Sequence, residues 1–250
     1  MRTIIMNKLI VLLLLIGTSI CGYAQGSVEY RQDKLISQLL SQQVNQQISL
    51  VNSVSAILAR YPEQVDAVIH ASLALYPNRY KEILTGALKA EPVLTCEVIK
   101  VFLKENVADP VELVALAIET EPAYAQEIVN VVMLNSPEFT EEIVSIAINT
   151  EPVISDSVVQ NSLSSFPDKA LEILSGAIKA LPQQVSSFVN DAIALFPTKG
   201  EAVVEMAVSN SADIEARRIV ASAVSAGLQE GTAMEAAIAG GANKALLVKE

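Results

Sequence analysis

Proline spacing constrains this chain more than any other feature. The sequence holds 10 prolines, and nine stand in one phase at Pro62, Pro77, Pro92, Pro122, Pro137, Pro152, Pro167, Pro182 and Pro197. The step is 15 residues throughout, with Val107 occupying the phased position between Pro92 and Pro122. Pro110 lies three residues beyond it. Proline fits the first turn of a helix and drives the preceding residue out of helical geometry. A proline every 15 residues therefore predicts a series of short helices separated by tight turns.

The aliphatic residues agree. They fall six, seven, ten and eleven positions after each proline: Ile83, Leu84, Ala87 and Leu88 after Pro77, and Ile143, Val144, Ala147 and Ile148 after Pro137. The unit at Val107 keeps the register with Leu113, Val114, Ala117 and Ile118, so its displaced proline is a substitution and not an insertion. Positions i, i+1, i+4 and i+5 form one stripe on a helix of 3.6 residues per turn; strand alternation is absent. Helices this short are marginal alone and depend on packing against neighbours.

Glu91, Glu121 and Glu151 recur every 30 residues, with Asn106 and Ser136 between them, so the larger repeat is a 30-residue helical hairpin. The expected fold is all-α: an α-solenoid of 15-residue units spanning 47–211, with divergent caps at 25–46 and 212–250. In the N-terminal cap, Leu35, Ile36, Leu39 and Leu40 repeat the stripe three residues out of phase. In the C-terminal one the last stripe is Ile219, Val220, Ala223 and Val224. A capping box opening at Thr232 and closing with Glu235 predicts one more helix, ended by Gly240 and Gly241, with a loose tail from 242. The architecture resembles α/α solenoids such as the tetratricopeptide and HEAT classes. Their periods and the tetratricopeptide Trp, Gly and Tyr pattern do not match, so no family is assigned.

Residues 1–24 read as a signal peptide. Arg2 and Lys8 form the basic region, Leu9 to Ile16 the apolar one, and Gly22-Tyr23-Ala24 a cleavage site. Met6 is an alternative start. Ile20 before Cys21 disfavours a lipoprotein, and no later apolar run is long enough to span a bilayer. The expected location is periplasmic or extracellular. Removing Arg2 and Lys8 leaves 15 basic and 28 acidic residues, a net charge of −13. That excludes a phosphate-binding role on nucleic acid, disfavours anionic membranes and permits a basic protein partner. The same charge also keeps a hydrophobic array soluble.

Chemistry-bearing motifs are sparse. His70 is the single histidine, in a polar column. Cys96 stands alone in the mature chain, open only to pairing between chains. There is no Cys/His cluster for zinc, no Gly-rich phosphate loop and no nucleophile elbow. No metal, cofactor or enzymatic activity is expected. The one candidate binding feature lies five residues after the phased position, where Glu82, Glu112, Glu142 and Glu172 would line equivalent helices as an acidic row. Glutamates near helix N-termini also suit the helix dipole and solvate the surface. The expected role is a protein-binding scaffold or adaptor. The alternatives are a self-associating matrix protein and a carrier of an apolar small ligand.

Overall fold

The computed structural model describes residues 34–247. The signal-peptide reading of 1–24, the cap residues 25–33 and residues 248–250 lie outside the described residues. Among these, every regular element is a helix or a 3₁₀ turn. Residues 34–45 form α1. Then follow α2 (Leu50–Arg60), α3 (Val65–Leu75), α4 (Tyr80–Ala90), α5 (Thr95–Glu105), α6 (Pro110–Thr120), α7 (Ala125–Asn135) and α8 (Thr140–Thr150). The remainder are α9 (Ser155–Ser165), α10 (Ala170–Ala180), α11 (Val185–Leu195), α12 (Gly200–Ser209), α13 (Ala216–Ser225), α14 (Glu230–Ala239) and α15 (Lys244–Leu247).

The phased prolines do not open the α-helices themselves. Each of the nine starts a three-residue 3₁₀ turn, and the α-helix begins at the next residue. The turn closes through a single bond, as from the Gln64 N–H to the Tyr61 carbonyl at 3.0 Å. The residue before the proline sits outside the helical region, with φ −133° and ψ 63° at Tyr61 and φ −137° and ψ 84° at Glu151. That is the restriction proline imposes on its predecessor.

At the unit without a phased proline the turn changes while the helix stays in register. Asn106 ends α5 in the left-handed region at φ 50°. Asp109 then caps α6, its carboxylate accepting from the Val111 N–H at 2.8 Å, and Pro110 takes the first helical position. Asp109→Ala is expected to cost about 1 kcal/mol. Chemical denaturation checks it, and an unmoved midpoint would show that the cap is dispensable.

The aliphatic stripes are the core. None of Ile83, Leu84, Ile143, Val144, Ala147 or Ile148 is more than marginally exposed. The first α-helical residue of most units adds a second buried position: Val65, Thr95, Ala125, Thr140, Ser155, Ala170 and Val185. Thr95 and Thr140 reach it without an orphaned hydroxyl, because each donates to the carbonyl of its own turn proline, at 2.7 and 2.8 Å.

The chain divides between Ala90 and Glu91 into two compact units. In the first, α2, α3 and α4 pack against one another. In the second, each helix from α6 to α13 packs on its successor, and each from α5 to α13 packs on the helix two further along. The even helices thus form one row and the odd helices another, with the stripes between them.

Glycine tightens a helix crossing within each unit. A Cβ on Gly86 of α4 would lie 2.6 Å from the Val51 carbonyl oxygen of α2. One on Gly176 of α10 would collide with the Glu141 carbonyl of α8. These backbones approach where only a hydrogen fits.

The C-terminal region departs from the sequence reading in three places. Of the last stripe, Ile219 and Ala223 are buried, whereas Val224, in the last turn of α13, is 38% exposed. Thr232 does not cap α14: the helix starts at Glu230, because Gly227 at φ +106° ends α13 and Gln229 is already extended at ψ 138°. The tail is not wholly loose either, since Lys244–Leu247 forms a helical turn. Gly240 and Gly241 do end α14, with Gly241 at φ +103° and the Ala242 N–H bonding back to Ala237. In the N-terminal cap helix, Ile36 and Leu40 are buried and Leu35 is exposed.

Candidate functional site

Reactive side chains are dispersed. His70 lies on the exposed face of α3. Cys96, near the start of α5, is half-buried, and burial together with the nearby Glu127 carboxylate pushes its thiol pKa up, away from a reactive thiolate. Among the described residues no three His, Cys, Asp or Glu side chains gather in a way that could hold a metal ion.

The four glutamates of the predicted row each occupy the third position of an even-numbered helix: Glu82 in α4, Glu112 in α6, Glu142 in α8 and Glu172 in α10. Within the second unit α6 packs on α8 and α8 on α10, so Glu112, Glu142 and Glu172 occupy equivalent places on neighbouring helices. Glu82 belongs to the first unit.

Glu82 and Glu172 carry their own counterions. Arg79 grips Glu82 through two parallel bonds, Nε to Oε1 and a terminal nitrogen to Oε2, both at 2.7 Å. That hydrogen bonding holds the Glu82 carboxyl below the usual range. Lys169 reaches Glu172 at 3.4 Å. Both cations stand at the end of a 3₁₀ turn, three residues before their glutamate, which is the spacing that lets helix-surface charges meet. Arg79 also lies 5.6 Å from the Tyr76 ring, and Lys199, at the matching place, lies 5.6 Å from Phe196. Lys199 further donates to the Pro167 carbonyl at 2.6 Å. The sequence reading missed this basic column. Its signal was present: a Lys or Arg two residues after Pro77, Pro167 and Pro197.

The chain matches no family model, no curated protein and no solved structure.

Lys179 of α10 pairs with Glu141 of α8; burial opposes ionisation of that carboxyl, but hydrogen bonds from Lys179 and Ser175 bring it below its ordinary value. On the odd helices, Asn161 donates to Gln126 at 2.7 Å and Gln160 to Asp191 at 3.2 Å, joining α9 to α7 and α11. A depression of about 500 Å³ opens where the phased proline is missing, lined by Leu103, Asn106, Asp109, Ser136 and Phe139 among others. No helix among the described residues is long and apolar enough to cross a membrane.

Proposed function

We propose that this chain is an exported, non-enzymatic α-solenoid that presents an extended surface to a protein partner. The observation that carries the reading is the packing pattern of the second unit, in which each helix from α6 to α13 contacts the next and the next but one. Such an array grows along one axis and offers long, regular faces, the geometry that repeat proteins use for binding. Dispersed reactive groups support a binder over a catalyst, and the acidic balance favours a basic partner.

The test is affinity capture from the native envelope or medium, with the wild-type chain and a variant changing Glu82, Glu112, Glu142 and Glu172 to Gln. The wild type should retain a stoichiometric partner. The variant should fold normally, since exposed ion pairs contribute about 0–1 kcal/mol each. It should associate more slowly, with a weaker dependence on salt. Equal capture at low salt would reduce the row to a solvated face. Failure to retain any partner, together with concentration-dependent self-association, would favour the matrix alternative. An apolar molecule released by organic extraction would favour the carrier.

A further inference from the structure

A second candidate surface is separate from the acidic row. It lies at the turns leading into α5, α7 and α9, which repeat one four-residue pattern: Glu91-Pro92-Val93-Leu94, Glu121-Pro122-Ala123-Tyr124 and Glu151-Pro152-Val153-Ile154. Val93 is 70% exposed and Val153 89% exposed. Ala123 is exposed between them, and Leu94, Tyr124 and Ile154 are half-buried beneath. Val93 and Val153 thus stand in water at equivalent turns.

The three turns belong to one unit and lie side by side. α5 packs on α7 and α7 on α9, and the chain reverses twice between each pair, so their N-terminal turns share an edge. The edge is bounded: at the next turn of the same unit Gln183 and Gln184 take the apolar places. Beyond it Ile214 is again 80% exposed, but its neighbour Glu215 is occupied by Arg218 at 2.9 Å.

Among the described residues the charges of this edge stand without partners. Glu91, Glu121 and Glu151 make no ion pair or side-chain hydrogen bond among the described residues, whereas Glu82 and Glu172 are held by Arg79 and Lys169. An apolar ridge studded with three uncompensated carboxylates is complementary to apolar side chains flanked by Lys or Arg.

Spacing selects the shape of the occupant. Neighbouring packed helices stand about 8–10 Å apart. Residues i and i+7 of an α-helix share a face and are separated by about 10.5 Å. The geometry points to this edge as the docking surface for a basic amphipathic helix of a partner protein, its apolar residues in heptad spacing over the three turns. The inference rests on the scaffold reading and gives it a definite address and partner class.

The probe is a synthetic three-heptad peptide with Leu at every seventh position and Lys beside each Leu, titrated against the full-length mature protein. Its scrambled isomer is the comparator. Three variants are compared with wild type: Val93→Ser with Val153→Ser; Glu91, Glu121 and Glu151→Gln; and the four-Gln variant of the row. All changes are at exposed or half-exposed positions, and circular dichroism confirms that each variant is folded. The serine pair should weaken binding by roughly tenfold or more. The three-Gln edge variant should lose most of the salt dependence. The four-Gln row variant should lose less affinity for the peptide than either edge variant does. Equal binding by the scrambled isomer, no binding of the peptide to wild type, or unchanged affinity in both edge variants overturns the inference. So does concentration-dependent self-association that the serine pair abolishes, which would assign the edge to a second copy. The capture experiment stands apart: a partner retained equally by wild type and edge variants sinks the address and leaves the scaffold intact.

Discussion

Ile143→Asp is expected to unfold the second unit or to remove most of its stability. Ile143 has no solvent exposure and sits on α8, which packs against α6, α7, α9 and α10. Replacing it discards the transfer free energy of a buried aliphatic side chain, about 1.5–3 kcal/mol. It also places a carboxyl where no water reaches, so the group must either remain neutral at a cost or force the helices apart. Together these exceed the 4–5 kcal/mol that marks an exceptional substitution, against a total stability of roughly 5–15 kcal/mol for an ordinary domain. Ile214→Asp is the matched control. Ile214 is 80% exposed, so the same chemical change there should leave the denaturation midpoint nearly unmoved. Guanidinium unfolding followed by circular dichroism compares the two. If Ile143→Asp unfolds at the wild-type midpoint, the stripe does not face the core.

The stripe was legible because it depends only on periodicity: Ile143, Val144, Ala147 and Ile148 are fixed by spacing from Pro137, and all four are buried. The register of α6 was legible for the same reason, despite Val107. What spacing could not give were features that depend on a second element. Val224 falls in the stripe yet is 38% exposed, in the last turn of α13. Thr232 had a capping-box sequence, but Gly227 redirected the backbone and α14 started at Glu230. The acidic row was legible as a column in sequence. Its pairing with Arg79 and Lys169 required side-chain geometry across the turn, although the i, i+3 spacing was a usable hint. Gly86 and Gly176 signified in sequence only that no phosphate loop was present; their role depends on how closely two helices approach.

Those glycines give the second large effect. Gly176→Leu should destabilise the second unit strongly, and Gly176→Ala should already do so measurably. The obstacle to a Cβ at Gly176 is the Glu141 carbonyl, with the Val144 Cβ 3.2 Å away. A backbone carbonyl in the first turn of α8 cannot swing aside as a side-chain tip can, so α8 and α10 must separate. Separation opens a gap along a crossing that the Lys179–Glu141 pair also spans. Overpacking of this kind costs about 1–3 kcal/mol, and leucine adds three further carbons to place. Against this, leaving glycine within a helix returns at most about 1 kcal/mol of propensity. The balance is therefore unfavourable at Gly176 and should invert at Gly231, which lies in the first turn of α14 with nothing within 4 Å of a new Cβ. Gly231→Ala is expected to raise stability by about 0.5 kcal/mol. Denaturant midpoints of the two alanine variants, measured side by side, should move in opposite directions. If Gly176→Ala instead stabilises the protein as Gly231→Ala does, then α8 and α10 stand further apart than a glycine contact, and the close crossing is not what holds the even row together.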